Sequence, residues 1–390
     1  MKILMLLESE FPPDVRVENE IAALTEAAHE VHLACTTRKN RLAEERFGSA
    51  VIHRKPISNF IYKSSVGALK LPFYFNFWRK FISDLLRNEK FDVIHVHDLP
   101  LSRIGAEVKN MLKIPMVLDL HENWPALLKH AKHTRTLAGR LLSSDRQWTE
   151  YEKNMVRNAD MVITIIEEAR ERIISLGVEP SKTCIVSNTV KTEDISLSGK
   201  KRDNDDFIIF YGGGINRHRG LQVVLDALKK MESRRYNLKL QIAGSGSYLK
   251  DLRLQAKNLG VEKYVEFMGH RPYHEMMSLL NEADAAIIPH LRTENNDASS
   301  PNKLYQYMYL GKPVISSDCT SLKRILTEND AGYIYKDDSP EELAGLIGNL
   351  YSERQQLRIK GENGRRAVLS GLNWNTDKKR LVELYQILQK

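Results

Sequence analysis

Short apolar runs, each ending in polar residues and followed by an amphipathic stretch, recur along this chain in two series. The first comprises Ile3-Leu4-Met5-Leu6-Leu7, Val31-His32-Leu33-Ala34-Cys35, Val93-Ile94-His95-Val96, Met116-Val117-Leu118, Met161-Val162-Ile163 and Cys184-Ile185-Val186. The second restarts at Phe207-Ile208-Ile209-Phe210-Tyr211 and continues through Leu238 to Ala243, Ala283 to Pro289, and Val314-Ile315. Continuous apolar runs suit parallel strands covered on both faces. Residues 191–206, polar and charged, separate the two series. At 390 residues the chain also exceeds one typical domain. The pattern predicts an α/β protein with Rossmann-like domains at 1–190 and 207–372 and a linker at 191–206. A last amphipathic helix is expected within 373–390, where Leu381, Leu384 and Leu388 share one face.

A hydrophobic content of 42% and a charged content of 28% are those of a globular protein. The net charge of +8 favours anionic partners. Cys35, Cys184 and Cys319 lie far apart, which points to reduced thiols in a cytoplasmic protein rather than a disulfide framework or a zinc site. No apolar run approaches the ~20 residues of a membrane span, and Met1 to Leu7 reads as a buried strand. Residues 60–87 mix Phe60, Tyr62, Phe73, Tyr74, Phe75, Phe77, Trp78 and Phe81 with Lys63, Lys70, Arg79 and Lys80. That mixture predicts peripheral contact with an anionic membrane, on the inner face of the cell membrane; the alternative is a helix packing its rings into the core. No nucleic-acid module accompanies the basic residues, so no nucleic-acid partner is expected.

The stretch Ser299-Ser300-Pro301-Asn302-Lys303-Leu304-Tyr305-Gln306-Tyr307-Met308-Tyr309-Leu310-Gly311-Lys312-Pro313-Val314-Ile315-Ser316 reads as loop, short helix, Gly turn and strand. Pro301 suits the helix start, and the N–H groups of Asn302, Lys303 and Leu304 form its positive end, a natural phosphate site to which Lys303 adds a full charge. An ordinary helix-to-strand connection explains the same spacing. Upstream, Gly212-Gly213-Gly214 opens a turn through which backbone can approach a diphosphate, and Arg219 offers a forked donor set. In the first half, His97-Asp98 and His121-Glu122 end two strands, and in an open α/β sheet such residues point into one crevice. Those four side chains make a metal conceivable, but no helix-borne ligand pair accompanies them, and neither metal nor cofactor is expected. Asp14 is a helix cap, and Arg16 follows in the first turn. The start lacks Gly-x-Gly-x-x-Gly, which excludes a conventional dinucleotide site.

Pro301-Asn302-Lys303-Leu304-Tyr305-Gln306-Tyr307-Met308 followed by Gly311-Lys312-Pro313-Val314-Ile315 resembles the donor-site signature of the family 4 (group 1) glycosyltransferases. The resemblance implies the GT-B fold, in which two such domains face each other across a cleft and the C-terminal helix crosses back to the first. It implies metal-independent transfer of a sugar, with retention, from a nucleotide diphosphate donor. UDP is the habitual carrier, and surface polysaccharide or glycoconjugate synthesis the usual setting. The acceptor is then a saccharide or lipid-linked saccharide. His121 matches the active-site histidine, and Arg219 stands where the family often grips the diphosphate with Lys. A second family Arg falls at Gly214, so Arg217 is its substitute. Together with Arg219 and Lys303, the expected donor contacts are Gly213, Gly214, Arg217, Gly244, His270, Arg271, Asn302, Leu304 and Gln306. Of these, His270 and Arg271 lie in the segment resembling the one that reads the base. The expected acceptor contacts are Asp14, Arg16, His97, Asp98 and Glu122. The family usually has Glu where this chain has Gln306, and often Glu at Ala298. Those departures keep two alternatives open: a non-catalytic nucleotide-sugar-binding partner of another transferase, and a nucleotide-sugar epimerase of the same fold.

Overall fold

A computed structural model describes residues 1–39, 41–130, 139, 142–195, 206–231 and 236–389. The chain divides into two compact units, Met1–Ser187 with Asp377–Lys390, and Asn188–Thr376. Most of the expected linker, 196–205, lies outside the described residues.

The first unit is an eight-stranded sheet in the order β3-β4-β2-β1-β5-β6-β7-β8. Its strands are β1 (Lys2–Leu7), β2 (Glu30–Thr37), β3 (Glu44–Phe47), β4 (Ala50–Pro56), β5 (Val93–His97), β6 (Met116–Leu120), β7 (Met161–Thr164) and β8 (Thr183–Ile185). All neighbours are parallel except β3, which returns antiparallel along β4 at the edge. The second unit holds six parallel strands in the order β11-β10-β9-β12-β13-β14. These are β9 (Phe207–Gly212), β10 (Leu238–Ala243), β11 (Val265–Gly269), β12 (Ala285–Ile288), β13 (Val314–Ser317) and β14 (Gly332–Tyr335). Each sheet has its own apolar core, one around Leu6, Ile94 and Leu118, the other around Ile209, Leu240 and Ile287.

Both sheets reverse their strand order beside the first strand. The chain leaves β1 toward β2 and later returns on its other side as β5; likewise β9 lies between β10 and β12. Such switch points open a crevice beyond the carboxyl ends of the strands. Leu7-Glu8 and His97-Asp98 stand at the first, Gly212-Gly213 and Pro289-His290 at the second.

Residues 60–87 correct part of the membrane expectation. Helix Phe73–Leu86 buries Tyr74, Phe75, Trp78 and Phe81 in the core of the first unit. Rings that read as covering the whole helix are thus mostly core, because neighbouring elements enclose more than one face. Phe60 and Phe73 remain 63% and 43% exposed, in edge-to-face contact at 5.4 Å. No helix among the described residues is long and apolar enough to cross a membrane.

Candidate active site

In the first unit, polar residues interrupt otherwise apolar strands in register. His95 and His97 project from the same face of β5, and Asp119 pairs with His97 across the ladder to β6. Helix Val15–Glu26 covers them with Arg16 and Glu20, one turn apart. The C-terminal helix Trp374–Leu388 adds Tyr385, whose hydroxyl lies 2.7 Å from His95 Nδ1. All of these side chains are buried.

Asp119 is the hub. Its Oδ1 accepts from Arg16 Nη2 at 2.6 Å, and its Oδ2 accepts from Arg16 Nε at 2.9 Å and His121 Nε2 at 2.7 Å. His97 Nδ1 lies 3.3 Å from the same oxygen. Asp98 holds the other side of His121: its Oδ1 accepts the His121 backbone N–H at 3.1 Å, and its Oδ2 lies 3.4 Å from Nδ1. Burial alone would lower the His121 pKa, but Asp98 and Asp119 outweigh it and raise it to about 9. Burial likewise disfavours ionised Asp119, yet Arg16 and His121 hold it well below the usual carboxylate range. Burial and Asp119 together push Glu20 up to about 8, so Glu20 carries a proton at neutrality. Burial and His95 depress His97 to about 3, which leaves it neutral. Asp98 has φ +64° and ψ 162°, a region nearly reserved for glycine, and this strain aims its carboxylate at His121.

The structure brings His97, Asp98 and His121 together, whereas Glu122 is exposed. Asp14 caps helix Val15–Glu26 by accepting from Val17 N at 3.2 Å. Arg16 departs from its expected acceptor contact. It is buried, and its third donor, Nη1, goes to the Val186 carbonyl at 2.8 Å. The reason is the buried Asp119 opposite, which the sequence analysis passed over; a lone Asp inside an apolar strand was the available signal. Glu20, His95, His97 and Asp119 each bring a ligand atom within 4.8 Å of the others, a spacing compatible with a divalent cation. Arg16 and His121 already supply positive charge there.

A cavity of roughly 670 Å³ opens at the β1/β5 switch point. Glu8, Asp14, His97 and Asp98 line it together with Trp124 and Trp148.

The second unit gathers cations at its own switch point. Helix Asn302–Tyr309 starts after Pro301, which lies one residue outside it. The helix closes on Gly311 at φ +67°, with Gly311 N donating to Met308 O and Lys312 N to Tyr307 O. Leu304 departs from the expected donor contact, because its N–H is spent on the Pro301 carbonyl at 2.9 Å and its side chain is buried. Asn302 and Lys303 remain the amides of the helix start. Lys303 Nζ sits 4.2 Å from the centre of the Tyr211 ring and against Gly213. Arg219 Nη1 lies 3.0 Å from His290 Nε2, a buried histidine not singled out in the sequence. Burial, Arg219 and Lys303 keep His290 well below its ordinary pKa, so it is neutral beneath the guanidinium. Burial, then Arg219, lowers Lys303 to about 7. Neither Arg219 nor Lys303 forms an ion pair among the described residues.

Gly244 packs its turn onto Gly213, where a Cβ would come within 1.8 Å of the Gly213 carbonyl oxygen. Gly214, Arg217, His270 and Arg271 are exposed. Arg271 is engaged by the Met268 carbonyl and Glu275. Gln306 is half-buried and lies beside Tyr273.

Two Rossmann-like units with ligand crevices at their switch points define a GT-B protein. Anabaena HepE, in a complex with UDP, shares this fold at a TM-score of 0.72 and 16% identity, over 99% of this chain and 100% of that one. Residues 14–194 match the family described as Glycosyltransferase Family 4, and residues 193–367 match Glycosyl transferases group 1. The chain belongs to this group 1, family 4 type of glycosyltransferase. An uncharacterized glycosyltransferase of Methanocaldococcus jannaschii is 25% identical over 80% of this chain and 82% of its own length. A putative colanic acid biosynthesis glycosyltransferase of Salmonella typhimurium is 20% identical over 61% of this chain and 59% of its own.

Proposed function

We propose that this glycosyltransferase moves a sugar from a UDP-type donor to a saccharide or lipid-linked saccharide, with retention and without a metal, in surface polysaccharide or glycoconjugate synthesis. One observation carries the donor side: Arg219 and Lys303 converge on the β9/β12 switch point, and among the described residues neither is paired with a carboxylate. Two cations held so close need an anion, and a leaving diphosphate supplies one. The two amides at the start of helix Asn302–Tyr309 add partial positive charge in the same corner. The HepE complex with UDP and the colanic acid relative support the donor and the pathway class.

In this reading the acceptor enters the β1/β5 cavity, and the imidazolium of His121 presents its charge to the donor sugar as the glycosidic bond breaks. Asp98 and Asp119 keep it protonated and oriented. Arg16 and Glu20 support Asp119 from behind. The exposed pair Phe60 and Phe73, beside Lys63 and Lys70, supports peripheral contact with an anionic bilayer.

Thermal stabilisation by UDP, GDP and ADP tests the donor site. A ligand at ~100 times its Kd adds ~2.7 kcal/mol, and UDP is expected to give the largest shift. Absence of any shift with all three, together with no turnover of UDP-sugars, overturns the assignment. Turnover that never requires an acceptor identifies an epimerase or hydrolase instead.

A further inference from the structure

The β1/β5 cavity has a chemical polarity of its own. Its inner wall carries Glu8 and Asp98 near one another, and Trp124 lines the same cavity. Glu8 forms no ion pair among the described residues; burial, then Asp98, raises it to about 7 against the opposing contact from Tyr74. A carboxyl of that kind, half-buried on a cavity wall, is suited to share hydrogen bonds with a hydroxyl. The Trp124 ring adds an apolar face, its centre 6.2 Å from that of Trp148. A carboxyl pair beside an indole is the donor and acceptor set that a sugar ring requires.

The rim is different. Arg38, Tyr62 and Lys63 line the cavity and are exposed. Arg38 donates to the neutral Asn59 at 2.9 Å and stacks on Tyr62, its guanidinium carbon 4.6 Å from the ring centre. Lys63 forms no ion pair among the described residues. Two cations therefore border one cavity without carboxylate partners among the described residues, while Glu8 and Asp98 lie inside.

We propose that this cavity holds a phosphorylated saccharide, with the sugar against Trp124, its hydroxyls at Glu8 and Asp98, and its phosphate on Arg38 and Lys63 at the rim. The inference rests on the acceptor reading of the first unit and names the acceptor's chemistry. The phosphate belongs either to a soluble sugar phosphate or to a lipid-borne one.

Isothermal titration of the full chain tests it with four probe types: the 1-phosphates of glucose, galactose, mannose and N-acetylglucosamine; N-acetylglucosamine linked through diphosphate to a dodecyl chain; octyl β-D-glucopyranoside; and inorganic phosphate. At least one phosphorylated saccharide is expected to bind ten-fold or more tightly than octyl glucoside. Arg38→Gln with Lys63→Gln should erase that preference. Glu8→Ala should weaken the saccharide probes several-fold and leave inorganic phosphate unchanged, with Glu8→Gln in between. A dodecyl-linked probe that outbinds every sugar 1-phosphate assigns a lipid-borne source, and parity assigns a soluble one. Octyl glucoside binding as tightly as the phosphorylated probes, or a preference that survives the double variant, overturns the proposal. UDP-induced thermal shifts on the same samples keep the two readings apart. A UDP shift without saccharide-phosphate binding removes this inference alone; the reverse result removes the donor assignment alone.

Discussion

His121 Nε2 lies 2.7 Å from Oδ2 of Asp119, while Nδ1 of the same ring lies 3.4 Å from Oδ2 of Asp98. A histidine facing a carboxylate at each nitrogen is held as an imidazolium, and its pKa of about 9 follows from those two neighbours overcoming burial. The folded value exceeds the ordinary 6.5, so the contribution to stability is fully present below about 6.5 and is lost as pH rises through about 9. Transfer should show an alkaline limb in the same window. Asp98→Asn should move that limb toward acid by about one pH unit or more, since one of the two charges is gone. The pH–rate profile and an NMR titration of His121 check both; an unmoved limb means that another group titrates.

Asp119→Asn should be the most damaging single change in this network. It leaves the buried guanidinium of Arg16 facing an amide in place of a charge. Breaking a buried pair in this way costs about 3–5 kcal/mol. Urea unfolding measures it, and a loss below about 1 kcal/mol would mean that Glu20 takes over the pairing by ionising.

How much of this was legible in the chain depends on the length scale. Continuous apolar runs such as Ile3 to Leu7 and Phe207 to Tyr211 carry the parallel-strand signal themselves, because both faces of such a strand are covered. Helix Asn302–Tyr309 was legible from Pro301 and Gly311, which mark its ends by local backbone chemistry. The Arg16–Asp119 pair was not, since its partners are 103 residues apart and the sequence shows only that each is polar. The same holds for His290 beneath Arg219 and for Glu8 in the cavity. The burial of Tyr74, Phe75, Trp78 and Phe81 in helix Phe73–Leu86 was not legible for a related reason: an aromatic surface is apolar whether lipid or protein covers it.

Gln306→Glu should leave transfer equal or improved. A neutral amide is a weaker hydrogen-bond acceptor than a carboxylate for ribose hydroxyls, a difference of ~1–2 kcal/mol in donor affinity. The donor KM should fall by up to about ten-fold with kcat little changed. Loss of activity would place Gln306 elsewhere, with its position beside Tyr273 as the feature that matters.

Residues 60–87 make a prediction in two halves. Trp78→Ala should cost about 3–5 kcal/mol, as expected for a large ring removed from a core. Phe60→Ser with Phe73→Ser should change stability by no more than about 0.5 kcal/mol, because both rings lie at the surface outside the core. The double variant should nevertheless lose binding to phosphatidylglycerol vesicles in a co-sedimentation assay. Equal sedimentation of variant and parent would confine this segment to a structural role.

Lys303 offers a test that does not require the acceptor. Burial and Arg219 lower its pKa from 10.5 to about 7, so between those values the unfolded chain binds more protons than the folded one. Stability from this group therefore rises with pH from about 7 to 10.5, the opposite of the His121 contribution. Lys303→Met should stabilise the ligand-free protein at pH 6 by about 1–2 kcal/mol, since an unpaired buried charge is removed. A diphosphate in this corner supplies the missing counter-charge and raises the lysine again. UDP binding at pH 8 should then take up close to one proton, read by calorimetry in buffers of different ionisation heat. Lys303→Met should abolish that uptake and weaken UDP most at low pH. Binding of UDP with no proton uptake in the parent protein would separate Lys303 from the diphosphate and leave Arg219 as the cation that holds it.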